Sequence, residues 1–253
     1  MQINGVAAIV TGGASGLGAA TAEMLAKNGA KVTLFDMNEE VGKAHAEKIG
    51  ATFAKVNVTD TANVIEAIAA AEAKNGVARI LVCCAGIATG AKTVGKENAP
   101  HPMDQFRRTI EINLIGTYNV LTHFAARLAA ADPIGEERGV IINTASVAAF
   151  EGQVGQAAYS ASKGAIVGMT LPIARDLAPL GIRIMAIAPG TFYTPMMAGL
   201  PQNVQDSLGK QTPFPSRLGQ PSEYALLAQS IIINPMLNGE VIRLDGAIRM
   251  PPR

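Results

Sequence analysis

Cysteine is nearly absent from this 253-residue chain: there are two, Cys83 and Cys84, side by side in an apolar run. Adjacent cysteines give no disulfide framework and lack zinc-ligand spacing, so both read as residues of a buried strand and no metal centre is expected. Charge is also scarce, at 16% of residues, and nearly balanced at a net +1. That excludes the basic footprint of a nucleic-acid binder and gives no pull toward an acidic membrane surface. Long apolar runs are missing too, since Gly or charge interrupts each one before membrane-spanning length. The first strand starts near Gly5, which leaves no room for a signal or transit peptide ahead of it. Together with reduced cysteines this predicts a cytoplasmic protein, with the mitochondrial matrix as the alternative. The three histidines, His45, His101 and His123, fall on expected surface helices or loops and read as solvated.

What the chain has is apolar residues, 49% of the total, in short runs that alternate with helical stretches. Strands are expected over residues 6–10, 31–35, 52–56, 79–84, 140–144, 182–187 and 240–244, and helices over 39–49, 61–74, 103–130, 155–177 and 222–233, with a first one ending near Asn28. Thr59 or Asp60 can cap the helix that starts at Thr61, and Pro172 should kink or locally weaken the helix that contains it. Strict alternation predicts an α/β fold: a single Rossmann-type domain over residues 1–253, doubly wound, with about seven parallel strands and helices on both faces. Residues 190–218 form a long irregular stretch that reads as a lid or binding loop. Met196 and Met197 in it are either core or flexible substrate-facing side chains, and Lys210 and Arg217 read as isolated surface charges, with contact to a substrate phosphate as the alternative.

Chemistry concentrates where strands end. Ser146 closes the strand at 140–144, and Tyr159 and Lys163 lie four residues apart on the following helix, hence on one face. A free phenol titrates near pH 10, and a neighbouring ammonium should lower that value enough to make Tyr159 a proton carrier. Ser146 can then hold the same substrate oxygen as charge develops on it. The trio lacks an electron acceptor, so the chemistry requires a cofactor. Gly12, Gly16 and Gly18 follow the first strand, and with Ser15 and Leu17 they form a turn that can bring backbone N–H groups to a pyrophosphate. The spacing is G-x-x-x-G-x-G. Asp36 ends the second strand 18 residues beyond Gly18, where a carboxylate binds ribose hydroxyls. No Arg or Lys follows it, so NAD is favoured over NADP. Asn57, with Val58, is placed for the adenine edge, and Cys84, Ala85 and Gly86 allow close approach beside the ribose.

The pattern T-G-x-x-x-G-x-G at residues 11–18, Asn113 in Asn-Leu-Ile-Gly, Ser146, Tyr159-x-x-x-Lys163 and Pro189-Gly190 together resemble the short-chain dehydrogenase/reductase family. The stretches at 143–159, 213–218 and 238–250 are similar to its 3-hydroxyacyl-CoA dehydrogenase branch, also described as hydroxysteroid dehydrogenases. The resemblance implies reversible, NAD-dependent oxidation of a (3S)-3-hydroxyacyl-CoA to the 3-oxoacyl-CoA. It implies Tyr159 as acid/base, Lys163 also on the nicotinamide ribose, Ser146 and Gln156 with Tyr159 on the substrate, and Asn113 holding a relay water. Phe192 and Thr194 would lie near the nicotinamide, beyond Pro189 and Gly190, and the assembly would be a homotetramer. A steroid or other secondary alcohol as substrate, or a scaffold role in a larger complex, are the alternatives. Two positions depart from the family pattern: Cys83-Cys84 where Asn-Asn is common, and Asn57 where Asp is usual.

Overall fold

The computed structural model describes residues 1–199 and 201–252. Seven strands form one parallel sheet: β1 (Ala7–Thr11), β2 (Lys31–Asp36), β3 (Thr52–Lys55), β4 (Ala78–Cys83), β5 (Gly139–Thr144), β6 (Ile182–Pro189) and β7 (Val241–Leu244). Their order across the sheet is β3-β2-β1-β4-β5-β6-β7. The direction of winding reverses between β1 and β4, and a crevice at the carboxyl ends of strands flanking such a switch is where open α/β sheets bind ligands.

Two sets of side chains leave the central strands on opposite faces, as a two-residue period requires. Ile9, Leu81 and Ile141 pack against α3 (Thr61–Asn75), α5 (Thr117–Ala129) and α6 (Ala157–Leu177), through Val64, Ile68, Leu121, Phe124 and Ala174. Val10, Leu34, Val82 and Ile142 face the other way, onto α1 (Gly16–Lys27), α2 (Glu39–Ile49) and α9 (Pro221–Ile233), through Leu25, Ala46, Tyr224 and Ile231. Most of these side chains are fully buried, so truncating one, Leu81→Ala for instance, costs about 2–5 kcal/mol. Helix starts follow local chemistry. Asp60 accepts from the Asn63 N–H at 3.1 Å and Asn38 from the Val41 N–H at 3.2 Å, each supplying an acceptor to an otherwise orphaned donor.

Four expectations are corrected. The stretch read as one helix over 103–130 is α4 (Met103–Ile110), a π turn (Glu111–Gly116) and α5; a π turn holds one extra residue and interrupts neither the run of helical residues nor their polarity. The stretch read as irregular over 190–218 contains α7 (Pro195–Ala198) and α8 (Gln202–Lys210). In α8 only Val204 and Leu208 are apolar, too few to show a period. All three histidines are half-buried rather than solvated, the His45 ring Nε2 lying 3.1 Å from the Ala19 carbonyl. Pro172 sits inside α6 without ending it. Arg217 is not isolated: it forms a bidentate pair with Glu223 at 2.7 and 2.9 Å, and that pair pulls the Glu223 carboxyl down to about 2. The side chain of Met196 lies outside the described residues, as does Leu200 within the stretch read as a lid.

Candidate active site

The turn after β1 is built so closely that only glycine fits it. Gly12 and Gly16 have φ of +63° and +55°, a region costly for other residues. A Cβ on Gly12 would sit 2.7 Å from the Ala85 nitrogen, and one on Gly18 would run into the Gly12 carbonyl. The end of β4 is sewn to this turn: Cys84 N–H donates to the Thr11 carbonyl at 3.1 Å and Ala85 N–H to Thr11 Oγ1 at 3.2 Å. Ser15 stands at the N-cap of α1, and no side chain caps that terminus or places an acid in its first turn. The terminus therefore presents unpaired N–H groups and a positive dipole end, the chemistry that holds a pyrophosphate.

Asp36 lies beside this cradle. One carboxylate oxygen accepts from Ala14 N–H at 3.1 Å and the other from Asn38 N–H at 2.9 Å. A carboxylate has about four acceptor positions, so lone pairs remain for ribose hydroxyls. Val58 is buried. Asn57 is exposed at the end of β3, but its Oδ1 already accepts from the N–H and hydroxyl of Thr59 at 3.2 and 2.9 Å, which leaves the amide N–H groups to face an adenine. The Cys84 thiol turns inward, toward the hydroxyls of Thr144 and Tyr224 at 3.5 and 3.8 Å, and burial pushes its pKa up. Its backbone and Cβ border the cradle, the Cβ lying 3.2 Å from where a Gly18 Cβ would stand.

On the far side, β6 ends at Pro189 and Gly190 passes close to β7; a Cβ there would lie 3.0 Å from Asp245 Cα. Thr194 and Pro195 cover the glycine turn, 3.7 and 3.5 Å from where a Gly16 Cβ would stand. Phe192 is a buried core side chain whose ring lies flush against Gly219. Leu17 is half-buried at the start of α1.

Ser146, Tyr159 and Lys163 converge past the end of β5. Ser146 is 8% exposed, and its Oγ accepts from Ala148 N–H at 3.1 Å, which fixes a short 3-10 turn (Val147–Ala149). Tyr159 and Lys163 share a face of α6, the ammonium lying 5.8 Å from the ring centroid. Lys163 is 6% exposed and donates to the Thr144 carbonyl at 2.7 Å. Burial lowers its pKa to about 8. The Tyr159 phenol is shifted upward, the reverse of the sequence expectation: burial raises it and a hydrogen bond with Ser146 only partly offsets that. Desolvation penalises the phenolate more than the ammonium, aimed at Thr144, can relieve.

Asn113 joins the trio from the π turn. It is fully buried; its Nδ2 donates to the Ile87 carbonyl at 2.9 Å and to Ser162 Oγ at 3.1 Å, and its Oδ1 accepts from Ile87 N–H at 2.8 Å. Ser162 in turn donates to the Tyr159 carbonyl at 2.7 Å. Sequence reading passed over Ser162 and Thr144. Both act through atoms any residue or any small hydroxyl offers, so only their neighbours in the motif signalled them. Where the chain enters α6 lies a cleft of about 690 Å³, walled by Phe150, Gln153, Val154, Gln156 and Ser160, with residues 92–94 opposite and Pro252 at the rim; it adjoins the trio in sequence, while Ser146, Tyr159 and Lys163 do not themselves line it. Gln156 Oε1 accepts from Gln153 N–H at 3.0 Å, so this predicted substrate residue also folds the cleft wall.

The sequence profile of the short chain dehydrogenase family matches residues 6–205. The chain is a short-chain dehydrogenase. Among its relatives, 3-hydroxyacyl-CoA dehydrogenase type-2 from Homo sapiens is 57% identical over 99% of this chain and 98% of its own length. The protein so named from Drosophila melanogaster is 54% identical over 99% of this chain and all of its own. The crystal structure of 3-hydroxyacyl-CoA dehydrogenase type-2 from Mycobacterium avium superposes with a TM-score of 0.95 at 42% identity, each chain covered completely. The dehydrogenase is thus an oxidoreductase of the class that uses a nicotinamide dinucleotide on a small-molecule substrate, and its glycine cradle and Asp36 fit that cofactor. No helix among the described residues is long and apolar enough to cross a membrane, and no group of His, Cys, Asp and Glu among them could hold a metal.

Proposed function

We propose that this dehydrogenase oxidises a (3S)-3-hydroxyacyl-CoA to the 3-oxoacyl-CoA, reversibly, with NAD as its acceptor. The observation that carries the reading is the convergence of Ser146, Tyr159 and Lys163 past the end of β5, with Gln156 of the neighbouring cleft three residues before Tyr159, in a chain whose relatives at 54–57% identity bear that activity in their names. When bound, the dinucleotide would supply the hydride acceptor or donor. Everything else is done by the chain. The N-terminus of α1 would hold the pyrophosphate, Asp36 the adenosine ribose, and Thr194, beyond Pro189 and Gly190, the nicotinamide end.

Ser146 and the Tyr159 hydroxyl both bind the substrate oxygen. In the oxidation Tyr159 takes the hydroxyl proton as the C–O bond gains carbonyl character, and in the reduction it gives the proton back. Its raised pKa favours the protonated form, which suits donation to a ketone at neutral pH. Lys163 brings a cation to within 5.8 Å of the Tyr159 ring centroid, and Asn113 with Ser162 keeps the start of α6 in place. Asp36 with no basic neighbour selects NAD over its 2′-phosphorylated form by repulsion. The chain acts as one domain, with residues 190–218 closing over substrate, in a homotetramer.

A second reading, oxidation of a hydroxysteroid or another secondary alcohol, uses the same machinery and differs only in what fills the cleft. A scaffold role without catalysis would not need the trio intact. The deciding experiment follows NADH and NADPH oxidation with acetoacetyl-CoA, longer 3-oxoacyl-CoAs and steroid ketones, for the parent and Tyr159→Phe. The reading requires preferred NADH-dependent reduction of acyl-CoA ketones, abolished in the variant. Turnover of steroids alone, or an active Tyr159→Phe enzyme, overturns it.

A further inference from the structure

The wall of the cleft is held by a device far from it in sequence. Arg243, on the edge strand β7, grips Glu151 with both Nη atoms, at 2.7 and 3.0 Å. Its Nε donates to Asp245 at 2.8 Å and its Nη2 also to the Ile248 carbonyl at 3.0 Å. The guanidinium lies over the Phe150 ring, 5.3 Å from the centroid. Glu151 accepts in addition from Met250 N–H at 3.2 Å, and Arg249 reaches both carboxylates, Glu151 at 3.4 Å and Asp245 at 3.3 Å. The chain beyond then lies on the segment before α6: Val154 N–H donates to the Pro252 carbonyl at 3.0 Å and Gln153 Nε2 to the Pro251 carbonyl at 3.1 Å.

Residues 150–156 form no helix or strand, so their shape depends on these side-chain and tail contacts. They supply Phe150, Gln153, Val154 and Gln156 to the cleft, while Ser146 and Tyr159, at either end, are fixed independently by the 3-10 turn and by α6. A half-buried bidentate Arg–carboxylate pair shared among four charges sets geometry better than a single exposed pair does. We infer that Arg243, through Glu151 and the residue 249–252 tail, is a positioning residue that shapes the substrate cleft and so sets selectivity for the part of the substrate distant from the reacting carbon. The inference rests on the cleft being the substrate site of the proposed function.

The test compares Arg243→Met, Glu151→Gln and a chain ending at Met250 with the parent. KM and kcat are measured for acetoacetyl-CoA and for a long-chain 3-oxoacyl-CoA, alongside NADH affinity, thermal unfolding and hydrogen exchange. A misplaced wall should raise KM for the long substrate about tenfold while kcat, NADH affinity and the short substrate's KM change less than about twofold. Exchange at Gln153 and Val154 should quicken in the cofactor-free variants with β1, β4 and β5 unaffected. Equal losses for both substrates together with weakened NADH binding, or no change in KM for any variant, overturn the positioning role. If Arg243→Met does not fold, the other two variants decide. A parent with no activity on any acyl-CoA refutes the proposed substrate instead, and the exchange measurement still judges whether Arg243 holds the wall.

Discussion

Lys163 should be a liability to the fold that it serves. Its ammonium is 6% exposed, and burial brings its pKa from 10.5 to about 8. A fall of that size is worth about 3 kcal/mol at about 1.4 kcal/mol per pH unit, the penalty for keeping the charged form inside. The sign follows from proton counting. Between about pH 8 and 10.5 the unfolded chain binds more protons at this site than the folded one, so stability rises with pH through that window. Below it the penalty is fully present; above it both states are neutral and the penalty is gone. Lys163→Met keeps the stem and deletes the charge, at the loss of one hydrogen bond to the Thr144 carbonyl, about 1–3 kcal/mol. Near neutral pH the variant should therefore match the parent in stability or exceed it by up to about 2 kcal/mol, despite losing turnover. Urea unfolding of the cofactor-free protein from pH 7 to 10.5 checks this. Other titrating groups cancel in the difference between the two proteins, and that difference should move by about 3 kcal/mol in the parent's favour across the window. A difference that stays flat with pH refutes the reasoning, because it means the buried amine is already neutral or is fully compensated.

Three further outcomes are expected. Asp36→Ala should narrow the preference for NADH over NADPH, read as the ratio of kcat/KM values, and should also loosen the glycine turn by freeing the Ala14 N–H. Gly18→Ala should weaken dinucleotide binding at least about a hundredfold by calorimetry, since the added methyl meets a backbone carbonyl with no room to yield, and displacing the cradle by about 1 Å carries a penalty of that order. Hydrogen exchange over residues 190–218 should slow on adding NAD with an acyl-CoA, while Arg217→Ala, which breaks the anchor to Glu223 at the base of that stretch, should raise the exchange rate there without substrate.

The central sheet was legible because Val, Ile and Leu runs such as Ile80-Leu81-Val82 have no other economical place to go than a strand covered on both faces. The glycine turn, Asp36, Ser146 and the Tyr159–Lys163 pair were legible for a related reason: each lies at a strand end or at a fixed helical offset, and topology alone brings strand ends together. The π turn at Asn113 was not, because a single surplus residue shifts the apolar phase only once, by about 100°, with no Gly-Pro break or cap to mark the place. Nor was the direction of the Tyr159 shift, which depends on how much of the phenol is dry and where the Lys163 ammonium points. The inward turn of the Cys84 thiol required knowing that Thr144 and Tyr224, 60 and 140 residues away, wait beneath it. The Arg243–Glu151 grip joins residues 92 apart, and no spacing rule connects them.

The π turn has a bearing on how this segment tolerates change in length. A turn that holds one residue more than the α pitch advances the following helix by about 100° relative to an unbroken one. The faces that α4 and α5 present to their neighbours are thus in phase only because of the surplus residue, and Thr117 Oγ1, donating to the Asn113 carbonyl at 2.8 Å, satisfies an oxygen that the widened turn displaces. Shortening the segment by one position would restore regular pairing along the backbone and still ruin the protein, since Phe124 and Leu128 would swing out of the core or Asn113 would leave Ile87. The irregularity works as a gear tooth that keeps two surfaces meshed.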